Sequence, residues 1–232
     1  MPTTGLAPAL LAVMLAAQAA HQHMPATAEQ PPAPGYSALS FAPPVAGSYV
    51  LPALGAAADG LIIESSGQRT RLHGLYGDKL VVLSFIFTSC SDVNGCPLAS
   101  FVLSQVQQRS LADPVLSGNV RLVSLSFDPA RDTPAALESY ASSFRRAGFD
   151  WHFVGCASEA DLAPILTAYD QAVVRDHDAS GRYLGTMSHM LRVFLIDRDR
   201  RIRNIYSPAY LHPDLVLADL RTLAMEPNSR AP

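Results

Sequence analysis

Leu80-Val81-Val82-Leu83-Ser84-Phe85-Ile86-Phe87 runs directly into Thr88-Ser89-Cys90-Ser91-Asp92-Val93-Asn94-Gly95-Cys96-Pro97. The first eight residues form a nearly continuous apolar, β-rich run, the pattern of a strand buried on both faces of a sheet. Thr88 to Gly95 is polar and reads as a turn. From Pro97 onward, Leu98, Phe101, Val102 and Val106 recur at helical spacing, and proline suits a first helical turn. The unit is therefore strand, turn, helix, with cysteines in the turn and at the start of the helix.

The same alternation extends outward. Upstream, Leu61–Glu64 and Gln68–Leu72 flank Ser66-Gly67 and read as a β-hairpin. Gly77-Asp78-Lys79 then leads into the buried strand. Downstream, Val120–Phe127 is a second buried strand ended by Asp128-Pro129. Thr133-Pro134 starts a helix with Leu137, Tyr140 and Phe144 on one side, Thr133 serving as N-cap. Trp151–Val154 is a short strand. Ser158–Tyr169 is a helix capped by Ser158, with Glu159 and Asp161 in its first turn and an interior Pro164 expected to kink or break it. Met190–Ile196 is expected to be a strand, Asp197–Arg200 a turn into Arg203–Tyr206, and Pro213–Leu223 a closing helix. Strands alternating with helices specify an α/β sheet covered on both faces and finished by an antiparallel hairpin.

The chain has 232 residues, 49% hydrophobic and 16% charged, with net charge −3. That composition supports one good core with appendages and lacks the basic surplus of a nucleic-acid binder. Gly5–Ala20 is an uncharged apolar run ending in Ala17-Gln18-Ala19, an A-x-A-like cleavage site. It is shorter than the roughly 20 residues of a membrane span. Residues 1–19 are accordingly expected to be a signal peptide, or a short anchor if uncleaved. Residues 20–47, rich in proline and alanine, read as an extended linker. The domain is expected over 48–227, with 228–232 a tail.

Three cysteines occur, Cys90, Cys96 and Cys156. In an exported protein a pair is expected to be oxidised or to bind metal. Cys90 follows a buried strand where a helix begins, and N–H groups and the helix dipole there stabilise a thiolate. A thiolate is the nucleophile of redox chemistry and the ligand for soft metal, Cu(I) in particular. The competing reading is a structural disulfide across a short loop, which removes little entropy from the unfolded chain. Cys156 reads as a small half-buried residue.

Three stretches resemble the SCO/SenC family of copper chaperones of cytochrome oxidase assembly. Phe85-Ile86-Phe87-Thr88-Ser89-Cys90 through Cys96-Pro97-Leu98 is similar to its F-x-[YF]-T-x-C-x-x-x-C-P-[LT] segment. Ser124-Leu125-Ser126-Phe127-Asp128-Pro129-Ala130-Arg131-Asp132-Thr133-Pro134 is similar to its S-[VIF]-D-P-x-R-D-T-P signature. Ser188-His189-Met190 lies where the family places its metal-binding histidine. The resemblance spans roughly residues 48–225 and implies a thioredoxin-like fold with an N-terminal β-hairpin extension. It also implies a copper site for Cu(I) or Cu(II) made of Cys90, Cys96 and His189, in which Cys90 and Cys96 double as a redox pair. The implied partner is a copper-receiving respiratory protein or oxidase subunit, met in the periplasm or at a membrane surface.

Two departures stand out. The family has three residues between its cysteines and this chain has five. In a regular helix six steps turn about 600°, roughly 120° off a common face, so the segment must loop out, and Asn94-Gly95 is a turn former that tolerates positive φ. Ser188 stands where many members carry an acidic residue, removing a partner for the histidine.

His73, His152, His177 and His212 read as surface or satisfied polar residues, and Met187 and Met190 as core. Asp128 reads as a turn or cap residue, or as a group acting near the site, and Arg131 and Asp132 as residues that hold their loop. The N-terminal His21-Gln22-His23-Met24 would chelate Cu(II) at a cleaved N-terminus, or is an accidental cluster. Two functions compete: an exported metallochaperone, and a thioredoxin-type thiol-disulfide oxidoreductase using Cys90 and Cys96. A dithiol enzyme has no need of His189. A thiol peroxidase would need peroxiredoxin-like Pro/Thr/Arg surroundings, which are not seen here.

Overall fold

In the computed structural model, which describes residues 1–2 and 33–227, the run that decides the fold is a strand, Leu80–Ile86, with all seven residues buried. In chain order the first elements are β1 (Gly55–Ala56), β2 (Leu61–Glu64), β3 (Arg69–Arg71), α1 (Leu72–Tyr76), β4 (Leu80–Ile86) and α2 (Cys96–Leu111). Then come β5 (Val120–Ser126), α3 (Pro134–Ser142), β6 (Trp151–Gly155), α4 (Glu159–Ala168), β7 (Val173–His177) and β8 (Tyr183–His189). The chain closes with β9 (Val193–Ile196), β10 (Arg201–Tyr206) and α5 (Pro213–Met225).

The main sheet has the order β1-β10-β9-β4-β5-β6-β2-β3. Its centre is parallel, β4 beside β5 from Leu80↔Val120 to Ile86↔Ser126 and β5 beside β6. β9 joins β4 antiparallel, and β10 joins β9. On the other side the hairpin β2–β3 extends the sheet antiparallel to β6. Helices α2 and α5 pack on each other and on β4, α3 packs on β6, and α4 on β2. The thioredoxin-like architecture and its hairpin extension are thus present. Leu83, Phe85, Phe153 and Phe194 fill the core.

Local signals act as the residue types require. Thr133 Oγ1 accepts from Ala136 N–H at the start of α3, and Ser158 Oγ accepts from Asp161 N–H at the start of α4. Helix α4 continues through Pro164. The cap on one side and the buried Leu162 and Ile165 flanking the proline hold the helix across the one missing N–H.

The strand expected over Met190–Ile196 is shorter. Residues 190–192 are a link whose polar groups are used sideways: Gln171 Nε2 donates to the Met190 carbonyl, and Arg192 Nη1 to the Asp170 carbonyl and carboxylate. Ahead of the link lies a separate antiparallel ribbon, β7–β8, pairing Val173↔His189 and Arg175↔Met187. His189 therefore ends one strand and does not lead into the next.

Part of the stretch read as linker lies on the domain. Tyr36 packs edge-on to Phe101 at 4.9 Å and shares a 2.7 Å hydrogen bond with His212 Nε2, and Gly47 N–H donates to Thr222 Oγ1. An aromatic ring among prolines has apolar surface to bury, which proline content alone does not register. The apolar N-terminal run, His21–Met24 and residues 228–232 lie outside the described residues. No helix among the described residues is long and apolar enough to cross a membrane.

Candidate metal centre

The end of β4 and the start of α2 bring the two cysteines together. Cys90 N–H donates to the Phe87 carbonyl, and the Asp92 carbonyl accepts from Gly95 N–H while its side chain accepts from Asn94 N–H. The five intervening residues thus fold into a turn organised by Asp92. Gly95 has φ −101°, so the Asn-Gly pair makes this turn without the expected positive φ. A Cβ at Gly95 would lie 3.1 Å from the Asp92 carboxylate, so the close approach, rather than a left-handed backbone, suits glycine there. Cys96 then opens α2, fully buried, and Cys90 is half-buried above it.

The third donor comes from the ribbon. His189 packs between Phe87 and Phe127, with ring centroids 5.9 and 4.9 Å away, and its Nε2 lies 3.8 Å from Cys96 Sγ. One donor atom from each of Cys90, Cys96 and His189 lies within 4.8 Å of the others. Along the ribbon the alternate residues Met187 and His189 face the body, while Thr186 and Ser188 face outward with Asp176.

Electrostatics sort the three donors. Hydrogen bonding from the Cys96 thiol, aided by the N–H groups of Cys96 and Asp92, outweighs burial and brings the Cys90 thiol down to about 6. Burial and the adjacent Cys90 thiolate push Cys96 well above the usual thiol range. At neutral pH the pair holds one proton between two sulfurs. Burial lowers His189 despite a hydrogen bond to the Met187 main chain, leaving a neutral imidazole, the form that ligates metal. Two sulfurs and an imidazole nitrogen form a donor set suited to copper. Cys90 and His189 line a cleft of about 340 Å³ together with Phe87, Asp92, Asp176 and Met187, so the site is reachable from one side.

The remaining candidates fall as follows. Asp132 accepts from Thr88 N–H and Oγ1 at 3.0 and 2.6 Å and from Ser126 Oγ, tying the cysteine turn to the end of β5. Asp128 is buried with an unpaired Oδ2, and burial, then Asp132, raises it against Arg131 and Arg175. Met187 is buried beside the cleft, whereas Met190 is exposed and not core, because the link it occupies leaves the sheet. Ser188 donates to Asp176 Oδ1, so a carboxylate stands near the expected acidic position but on the neighbouring strand. Cys156 is buried against the Leu61 carbonyl and pushed up to about 12 by burial. His73 bonds the Ala57 carbonyl, His152 bonds Asp150 and Glu64, His177 packs on Tyr183, and His212 caps α5. None of these four joins the cluster of three.

Sequence reasoning missed Asp176 and the outward face of the ribbon. The alternation Thr186-Met187-Ser188-His189 was the available signal, obscured by the apolar run that follows it.

The SCO1/SenC family model matches residues 62–225. The chain is 22% identical over 157 residues to the SCO1 protein homolog of Bacillus subtilis (strain 168), covering 67% of this chain and 76% of that protein. It is 30% identical over 144 residues to the mitochondrial SCO2 homolog of Bos taurus, covering 61% of this chain and half of that protein. Among solved structures, copper-bound ScoI of Bradyrhizobium japonicum superposes with a TM-score of 0.60 at 26% identity, covering 72% of this chain and 99% of that one. The apo Sco1 of Thermus thermophilus superposes with a TM-score of 0.60 at 26% identity, covering 78% of this chain and 97% of that one.

Proposed function

The chain belongs to the SCO1/SenC family, and from that premise we propose that it is an exported metallochaperone that binds copper through Cys90, Cys96 and His189. Its recipient on this reading is a respiratory copper protein such as a cytochrome c oxidase subunit. The observation that carries the reading is the convergence of three soft or borderline donors within 4.8 Å, two from the core and one from the ribbon. The copper-bound relative supports it. Residues 1–19 would address the chain for export, the part of 20–47 ahead of Tyr36 would space the domain from a membrane, and residues 48–227 would do the chemistry. The working compartment is then the periplasm or its equivalent, the protein free or tethered.

The Cys90 thiolate and the His189 imidazole both line the cleft, so they would be the first groups a cuprous ion meets. Cys96 then loses its proton and supplies the second sulfur, and His189 supplies nitrogen. Transfer onward needs both thiols reduced, so a second use of the pair is built in. The Cys90 thiolate can attack a partner disulfide and Cys96 can resolve the mixed disulfide, two electrons passing from the pair to the partner's sulfurs while Cys90–Cys96 closes. The low Cys90 pKa favours this oxidoreductase reading as the alternative. BsSco, of the Sco family of cytochrome c oxidase assembly proteins, has a disulfide switch.

Copper stoichiometry of the reduced protein tests the proposal. One copper per chain is expected, lost in Cys90→Ala and Cys96→Ala and weakened in His189→Ala. Absence of stoichiometric Cu(I), or full Cu(I) and Cu(II) binding by His189→Ala, would sink the three-ligand site. A potential below about −230 mV with turnover on a disulfide substrate would favour the reductase.

A further inference from the structure

The ribbon β7–β8 stands outside the main sheet, and a two-stranded hairpin is marginal by itself. Its base is closed by Gln171 and Arg192, its inner face buries Met187, and Arg175 pairs with Glu159 of α4. Nearer the turn, one side chain reaches it from the loop after β5. Arg131 Nη1 donates to the Gly185 carbonyl at 3.0 Å, and its guanidinium carbon sits 4.6 Å from the centre of the Tyr183 ring. Gly185 has φ +88°, a backbone that L side chains rarely adopt, and a Cβ there would lie 3.6 Å from the Arg131 guanidinium. It is the left-handed backbone that calls for glycine here, since a Cβ at that distance would make only ordinary contact with the arginine.

The residue next to Arg131 is Asp132, which holds the cysteine turn through Thr88. Adjacent residues of one short loop therefore grip the two halves of the metal centre, the sulfurs through Asp132 and the histidine ribbon through Arg131. We infer that Arg131 is a positioning residue for His189, fixing the ribbon so that the imidazole stays within reach of the two sulfurs. The inference rests on the copper reading for its consequence but not for its geometry.

The consequence separates the two oxidation states. Two thiolates suffice for Cu(I), whereas Cu(II) depends more on imidazole nitrogen. Arg131 therefore sets the preference between them. An exposed cation–π contact and one hydrogen bond each shift a local equilibrium a few-fold, about tenfold together.

The test compares wild type with Arg131→Ala, Arg131→Lys and Tyr183→Leu in the full chain. In the copper-free reduced protein, amide exchange at Thr186–His189 should quicken about tenfold in Arg131→Ala, while the β4 amides stay unchanged. With copper added, Arg131→Ala should keep Cu(I) stoichiometry, lose about tenfold in Cu(II) affinity and show weakened nitrogen coupling in its Cu(II) resonance spectrum. Arg131→Lys should fall between, keeping charge without the planar fork, and Tyr183→Leu should shift in the same direction. Unchanged exchange overturns the inference, as does quickened exchange with an unaltered Cu(II) spectrum. If the wild type takes no copper, the metal reading fails while the exchange data still decide whether Arg131 holds the ribbon.

Discussion

The two halves of the metal centre are built to different standards. Cys90 and Cys96 sit between a strand with every residue buried and a helix whose inner face, from Cys96 through Val106, is buried as well. His189 sits at the end of a ribbon in which Met187 is buried while Val174, Leu184 and Ser188 face solvent. Interior packing resists displacement because side chains interdigitate at crystal-like density, whereas a ribbon held by a few polar contacts opens with a small free energy. The sulfurs are the fixed part of the site and the imidazole the adjustable part. A carrier that must both hold and release its ion benefits from that division, since one donor can withdraw without disturbing the fold.

The largest effect that can break the comparison is a core truncation. Phe85 packs edge-on against Tyr169 and Phe194 at 5.4 and 5.9 Å, and Phe85→Ala is expected to cost about 3–5 kcal/mol of global stability. Tyr183→Ala, on the ribbon, should cost less than about 1 kcal/mol globally while exposing Thr186–His189 to exchange. Urea unfolding of both variants measures this. A ribbon substitution that lowers the midpoint as far as the core one would show that the ribbon and the core unfold as one unit.

The difference also explains what was legible in the sequence. β4 and β9 announce themselves as nearly continuous apolar runs and β5 as valines and leucines interrupted by Arg121 and Ser124, while Thr133 and Ser158 announce helix starts. The cysteines and His189 were legible through the motifs around them. The ribbon was not, because Val173-Val174-Arg175-Asp176-His177 is half polar and its partner strand buries little. The run Met190-Leu191-Arg192-Val193 looked like a strand, since the demand of Gln171 and Asp170 on residues 190 and 192 has no local signature. The brackets that assemble the site were equally hidden. Thr88–Asp132 and Arg131–Gly185 join residues 44 and 54 positions apart, and no spacing rule encodes such pairs. Two short elements, β1 and α1, were too brief to show a period.

A smaller effect sharpens the claim that the sulfurs are set by the core alone. The leading cause of the lowered Cys90 pKa is the Cys96 thiol, and His189 is not among the causes. Alkylation of Cys90 should rise with pH through about 6 and then level off. Cys96→Ala removes the main donor and should move that midpoint upward, slowing alkylation at pH 6.5 by about threefold for the first unit gained. His189→Ala should leave the midpoint where it is. A midpoint that moves in His189→Ala would mean the ribbon, too, sets the charge of the sulfurs.

The smallest effect lies at the seam between the sheet and its hairpin extension. His152 places Nδ1 2.8 Å from Glu64 and Nε2 2.6 Å from Asp150, and Asp150 also accepts from Lys79 and Arg121. Burial would lower His152, but the hydrogen bonds from its ring to Asp150 and Glu64 win and raise it. Its folded value then exceeds the unfolded value of about 6.5. The stabilisation it contributes is fully present below that pH and is lost as pH rises through the folded value. Because the side chain is 26% exposed, the change should be under about 1 kcal/mol. Urea midpoints measured between pH 6 and pH 9, with His152→Gln beside wild type, read this out. The wild type should lose stability on going up in pH and His152→Gln should not. Since the seam belongs to the main sheet, the loss should appear in global unfolding and leave exchange at Thr186–His189 untouched. An unaltered slope in His152→Gln would place the titrating group elsewhere, and a ribbon that opens in step with the seam would make the imidazole side of the site part of the same cooperative unit as the sulfurs.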